Sequence, residues 1–318
     1  MKTTLRLFKV SFFTLFFYGQ INAQQMSQQA KDTAVTPDRQ SYFKIGVNYL
    51  SNAIYSGRKD SAAVPYLRSS LGYFDKSGFY IDAGASLLVS SDDTKRIDLL
   101  TLEAGYAFSI SKKLDVSVTA SKFFYTDQSY AIQSELKGMA GGDLSYDAGL
   151  VAINAGADLL FSANTDIFTS LKLSHGFEMG PEKRKWSVTP SVEMNAGTQY
   201  FNQAYYKNRK FSFGTTSGST GSTGTGGKGH AHSSSSSSAT KNLVFTDKNK
   251  FAVMDYELSV PVIYETSSWG LYATPTVAIP VNAVIYAVDG VLQKEALSNS
   301  FFIEVGVFVK LYSHHNKI

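Results

Sequence analysis

Residues 79–89, FYIDAGASLLV, place Phe79, Ile81, Ala83, Ala85, Leu87 and Val89 on one side of an extended chain and Tyr80, Asp82, Gly84 and Ser86 on the other. Successive side chains of a strand point to opposite faces, so this period of two describes a sheet with one apolar and one polar surface. Stretches of the same kind recur between Tyr42 and Tyr312, joined by connections that alternate between short and long. A strand that crosses a bilayer needs about 9–11 residues, and in a closed barrel its apolar side meets lipid while its polar side lines the interior. The pattern predicts an all-β chain folded as a transmembrane antiparallel up-and-down β-barrel. A soluble β-sandwich is the competing fold, since two-faced strands suit it too.

The N-terminus favours the barrel. Lys2, Arg6 and Lys9 precede an apolar run from Val10 to Tyr18, and Gly19 to Ala23 follows. Charge, a short apolar core and a small residue make a secretory signal peptide, with cleavage expected after Ala23. The chain has no cysteine, which excludes a disulfide framework and a diacylglyceryl-cysteine anchor. The leader holds three of the 30 basic residues and none of the 26 acidic ones, so the mature chain is nearly neutral. A pI near 8.9 therefore gives no reason to expect a nucleic-acid partner. No mature segment reaches the roughly 18 uninterrupted apolar residues of a membrane helix. An exported chain with many amphipathic strands and no spanning helix belongs in an outer membrane, where only a closed barrel leaves no backbone group unpaired in lipid.

Twelve strands are predicted, from Tyr42–Leu50 and Tyr66–Tyr73 through to Leu271–Val281 and Phe301–Leu311. The least regular is the sixth, near Leu136–Ser145, which is rich in glycine. Ten or fourteen strands are the neighbouring counts. Residues 24–41 read as a flexible periplasmic lead and 313–318 as a tail. With twelve strands starting on the periplasmic side, every long connection falls outside the cell and every even-to-odd connection is a tight turn. That is the asymmetry of outer-membrane barrels. The longest connection, Gly197–Lys250, carries an insert from Thr215 to Thr240 that is almost wholly Gly, Ser and Thr. Such a composition cannot pack and predicts a disordered external tether.

Inward parity predicts a charged interior, with Lys44, Arg68, Lys137, Lys172 and Lys310 facing Asp82, Glu103, Asp115, Asp143, Asp158, Glu193, Asp255, Glu257 and Glu304. In an open bore the acidic excess would favour cations, because fixed charge in a narrow lumen concentrates counter-ions. In a filled barrel the same side chains would form paired networks. Twelve strands lie between filled eight-stranded barrels and open sixteen-stranded ones, so size leaves both possibilities standing.

Catalysis has weaker support. Of five histidines, His230 and His232 lie in the Gly/Ser insert and His314 and His315 lie past the last strand. His175 has outward parity with Leu171 and Leu173 near the periplasmic end, which suits an interface belt better than a general base. The pair His230 and His232 lacks further donors for a metal site, and no nucleotide-binding glycine pattern opens a helix, so no cofactor or metal is expected. The 22 Phe and 19 Tyr are expected mainly in aromatic girdles, with Tyr73, Trp186, Tyr264 and Trp269 near strand ends.

The leader, the alternating segments such as Phe79–Val89 and Phe251–Tyr264, and the aromatic-rich final strand Phe301–Tyr312 together resemble Gram-negative outer-membrane β-barrel proteins, in particular twelve-stranded porin-like channels. The resemblance covers residues 42–312 and is architectural. It implies a channel for small polar solutes, contact with outer-membrane lipid, delivery by the barrel-insertion machinery and possible association of identical copies. A surface-binding barrel acting through residues 197–250, or an outer-membrane lipid-modifying enzyme, are the alternatives. Members of the class commonly end on an aromatic residue; here Tyr312 is followed by Ser313 to Ile318.

Overall fold

The computed structural model describes residues 40–59, 63–89, 95–127, 129, 135–181, 183–198, 200, 243–245, 250–288 and 290–313. The leader, most of the lead, the Gly/Ser insert and four of the five histidines lie outside these residues. The wall consists of β1 (Tyr42–Leu50), β2 (Tyr66–Phe74), β3 (Phe79–Leu88), β4 (Arg96–Ser111), β5 (Leu114–Tyr125), β6 (Gly138–Asp147) and β7 (Ala152–Phe161). It continues through β8 (Thr165–Ser174, resumed as Phe177–Met179), β9 (Arg184–Val188 and Ser191–Gly197), β10 (Ala252–Ser259 and Val262–Thr266), β11 (Trp269–Pro280) and β12 (Ser300–Tyr312). Neighbours pair antiparallel throughout. β12 bonds to β11 on one side and to β1 on the other, from Tyr42↔Tyr312 to Leu50↔Glu304, so the sheet closes on itself. The result is a closed twelve-stranded barrel, as the alternation predicts. Outside the wall, Leu243–Phe245, Ile285–Val288 and Val291–Lys294 make a small sheet among the outer connections.

The strands obey their parity. On β1, Phe43, Ile45, Val47 and Tyr49 are exposed to the outside while Tyr42 and Leu50 are buried within. A continuous outward belt of Leu, Ile, Val and Phe has no water-facing use and defines the lipid surface. Its periplasmic rim is aromatic: Phe43 lies 5.0 Å from Tyr73, and Tyr264 lies 4.9 Å from Trp186 and 5.6 Å from Trp269. Lys122 breaks the apolar row of β5, and its ammonium lies 5.8 Å from the Phe124 ring centroid, a long side chain laid along the belt.

The turns are built as their sequences suggest. Gly78, Gly149 and Gly180 each adopt positive φ, and a Cβ on Gly78 would lie 2.0 Å from the Ala107 carbonyl oxygen. In the first periplasmic turn the Asp75 carboxylate accepts hydrogen bonds from Ser41 Oγ and from the Ser77 and Tyr73 donors. Those bonds, led by Ser77, hold its pKa well below the usual carboxylate range. Its contribution to stability is complete at neutral pH and is lost only as pH falls through the depressed folded value.

Two features depart from the predicted pattern. β8, β9 and β10 are each interrupted, at His175, Thr189 and Val260. The interruptions are registered with prolines on the next strand: the Pro190, Pro261 and Pro275 carbonyls accept from the backbone N–H of His175, Thr189 and Val260 at 3.1, 2.9 and 3.2 Å. Proline has no N–H to return, so each crossing keeps one bond of the ladder and loses its counterpart. Lys137 also departs from its predicted inward place. It is exposed and precedes β6, while Leu136 beside it is buried against the interior cluster.

The periplasmic half of the interior is filled by rings seated on glycines of the next strand. A Cβ on Gly105 would lie 2.5 Å from the Tyr80 ring, one on Gly306 2.5 Å from Tyr272 and one on Gly270 2.5 Å from Phe308. Tyr80 also stacks on Phe74 at 5.7 Å and shares a hydrogen bond of 2.8 Å with Thr119 Oγ1. A Gly105→Leu substitution is therefore expected to lower stability by about 1–3 kcal/mol, the range for overpacking a filled site. Urea unfolding in lipid vesicles reads this, and an unchanged midpoint would contradict the seating of Tyr80 on Gly105.

Candidate functional site: the barrel interior

The outer mouth is closed by the connection between β1 and β2. Ala53, Ile54, Tyr55 and Ser56 are buried, although a loop between two transmembrane strands has no need of apolar residues. Tyr55 packs with Leu99, Phe123, Leu136, Met139, Leu160, Phe168 and Met254, and Ile54 joins a second cluster with Leu50, Val64, Tyr66, Leu88 and Phe302. At the tip, Gly57 has φ +72, and a Cβ there would lie 2.8 Å from Pro280 Cβ and 2.9 Å from Asp255 Cβ. The loop thus reaches down onto the wall and plugs the mouth. Arg58 holds it in place. Its Nε donates to Glu295 Oε1 at 3.0 Å, Nη1 donates to the Ser56 carbonyl at 3.0 Å, and Nη2 donates to the Asn282 carbonyl at 3.3 Å. Glu295 also accepts from Val284 N–H, and burial together with this carboxylate pushes the Tyr286 hydroxyl pKa up. Arg58 and Glu295 are both buried, so the ion pair ties the first outer connection to the last.

A second polar group sits beside the plug. Asp98 is fully buried and accepts from the Tyr66 hydroxyl, from Ser129 Oγ at 2.6 Å and from Thr126 Oγ1 at 3.1 Å. It faces inward next to Leu99 because the register shifts opposite Ser86 and Leu87, and a bulge lets two successive residues point the same way.

Below the plug the predicted lining residues other than Lys137 face inward, but acids and bases are not evenly mixed. The wall formed by β8 to β12, β1 and β2 carries Lys44, Arg68, Lys172 and Lys310 and is packed. Lys172 pairs with Glu193 at 2.8 Å, and Glu193 stands opposite Glu257 in the register of β9 and β10. Lys310 pairs with Glu265 at 2.7 Å, and Lys44 lies 4.9 Å from the Phe308 ring centroid. Glu304 accepts from Asn48 Nδ2 and from the Tyr272 hydroxyl at 2.9 Å. Arg68 is buried with its guanidinium 5.9 Å from the Tyr66 ring centroid and without a hydrogen-bond partner. Asp255, Glu257 and Glu193 are at most 1% exposed, so no water column runs along this side.

The opposite wall differs. From β3 to β7 the inward residues include Asp82, Glu103, Asp115, Asp143 and Asp158, and the inward base is Arg96 at the outer end of β4, 3.6 Å from Asp98 beside the plug. Glu103 accepts from Ser121 Oγ at 3.1 Å and Asp115 from Ser109 Oγ. Asp82, Glu103 and Asp143 are only half-buried, as are Gly84, Thr101, Gly141, Asn154 and Gly156 beside them. The interior is thus filled on one side, and on the other it is looser and acidic at mid-depth, between the apolar cluster under the plug and the Tyr80 ring.

His175, the one described histidine, keeps its predicted outward place. Its Nδ1 contacts the Leu150 carbonyl and its ring lies 4.5 Å from Phe177. Among the described residues no three His, Cys, Asp or Glu are grouped to hold a metal ion. The sequence pattern missed Arg58, Glu295 and Tyr55. Their only signal was the apolar run Ala53–Ile54–Tyr55 inside a polar loop.

The closed wall, lipid belt and polar interior define a twelve-stranded transmembrane β-barrel. No known protein family profile and no curated relative matches the chain. Among solved structures it is similar to a KdgM porin in complex with disordered oligogalacturonate, at 9% identity over 86% of this chain and 99% of that one, TM-score 0.43. It is also similar to an outer-membrane channel from Pseudomonas putida F1, at 9% identity over 88% and 98%, TM-score 0.45. LpxR from Salmonella typhimurium shows 9% identity over 84% and 99%, TM-score 0.42. The resemblance is one of barrel architecture.

Lys172 and Glu193 supply a test of the packed wall. Removing one member of a buried ion pair leaves the other uncompensated, so Lys172→Met is expected to destabilise the barrel by about 3–5 kcal/mol. The double change Lys172→Met with Glu193→Leu is expected to recover most of the loss. Urea titration of the three proteins in vesicles measures both effects, and equal stability of wild type and Lys172→Met would show that the pair is hydrated.

Proposed function

We propose that this chain is a gated outer-membrane channel for small polar solutes with a mild preference for cations. The observation that supports it best is the kind of closure at the mouth. The seal is a loop held by the Arg58–Glu295 pair, not side chains of the wall itself. A loop tied at its tip can withdraw while every backbone hydrogen bond in the lipid stays made, so the barrel can open without unfolding. Beneath it, the polar wall from β3 to β7 offers a hydrated path, and acids outnumber bases along the interior, which favours cations. Exposed apolar residues around the belt provide the contact with outer-membrane lipid.

Planar-bilayer recording tests this. Wild type is expected to show low open probability, and Arg58→Gln is expected to raise it at least about tenfold, because loss of one partner of a buried pair costs the closed state more than about 1.4 kcal/mol. Glu295→Gln should behave alike. Absence of conductance steps at every voltage in wild type and in both variants would sink the assignment.

A further inference from the structure

We infer that the wall from β3 to β7 is a binding track for small organic ammonium ions, and that Asp158 and Glu103 are its recognition residues. The inference rests on the channel assignment for its physiological setting, but the site itself can be tested without conduction. Asp158 lies nearest the plug, on the outer half of β7. Glu103 and Asp143 follow near mid-depth, Asp82 stands directly opposite Glu103 in the ladder of β3 and β4, and Asp115 lies at the periplasmic end of β5. The carboxylates thus line one wall below the plug, where Arg96 is held at the outer end beside Asp98, while Lys44, Arg68, Lys172 and Lys310 sit on the other.

One of these groups points to an absent donor. Asp158 is 4% exposed and its Oδ2 has no hydrogen-bond partner, while Glu103 accepts from Ser121 and from the Tyr80 hydroxyl. A buried carboxylate oxygen is normally satisfied, so a donor is missing at Asp158. The ladder makes room for the carboxylates themselves. Gly141 stands opposite Asp158 in the ladder, and a Cβ there would lie 2.0 Å from Asp158 Oδ1. Gly156, opposite Asp143, would bring a Cβ to 2.8 Å from Asp143 Oδ1. Any side chain at either glycine would displace a carboxylate.

The chemistry selects the class of cation. No three of the described acids are grouped to hold a metal ion, which tells against a divalent metal. Carboxylates spaced along a wall rather than gathered at a point suit a solute whose charges are themselves spaced, an ammonium with three N–H donors at each end of a short chain.

The test uses 1,4-diaminobutane as probe. Titration calorimetry on the full-length barrel in detergent, as wild type and as Arg58→Gln, is expected to show saturable binding. Asp158→Asn and Glu103→Gln should each weaken it by about fivefold or more, as expected for loss of one partly buried charge contact. Glu178→Gln, on the periplasmic hairpin of β8 and β9, should leave it unchanged. Heat-modifiable mobility on gels confirms that each variant is folded. The inference is overturned if neither the wild-type nor the Arg58→Gln barrel binds the diamine, if both track variants bind as wild type does, or if calcium displaces the probe at equal concentration. A barrel that binds the diamine and never conducts keeps the site and loses the channel. One that conducts and fails to bind it keeps the channel and loses the site.

Discussion

Backbone hydrogen bonding in a medium without water is the constraint from which the rest of this structure follows. A strand with an open edge in hydrocarbon leaves a row of amides unpaired, so the sheet must return to its beginning, and β12 bonds to β1 along the whole length of β1. Closure then imposes the parity. Each strand must turn alternate residues to lipid and to the interior, and the polar half of the chain has only the lumen to occupy. The interior is consequently crowded with charge, and its organisation becomes a matter of where acids and bases fall on the circumference.

That circumferential arrangement gives the molecule two unlike halves. On β8 to β12, β1 and β2, ammonium groups lie against carboxylates, and rings lie over glycines such as Gly270 and Gly306, making something close to a solid core. On β3 to β7 the inward residues at mid-depth are small or acidic and half-buried, between Leu99, Phe123, Met139 and Leu160 under the plug and Tyr80 below. A buried ion pair is weak support for stability but strong support for position, since losing one partner is costly. The packed half therefore fixes the shape of the barrel.

The alternation made strand number, order and the facing of the lining acids legible, because parity is a local property repeated many times. It did not show the bulges. Asp98 with Leu99, and Met254 with Asp255, are consecutive residues that both turn inward, and a strict period of two cannot represent them. Nor did it show the plug, because a loop's destination depends on tertiary packing: Tyr55 and Arg58 read as ordinary loop residues until Leu99, Met254 and Glu295 are brought to them. The segregation of charge was present in the sequence, but parity alone gave a tally of acids and bases. Only the order of strands around the barrel turned that tally into an arrangement.

The interrupted strands have a mechanical consequence. Pro190, Pro261 and Pro275 form an oblique seam across β9, β10 and β11, along which amide donors are missing from the wall. A cylinder with one weakened line does not deform evenly under lateral pressure from the bilayer; it creases there. The crease lies in the solid half, where ion pairs and stacked rings resist collapse from within, while β3 to β7 contain no proline and their ladders shift only at the bulges by Ser86 and Ser109. Changes in membrane tension are thus absorbed on the packed side, and the shape of the acidic side is buffered against them.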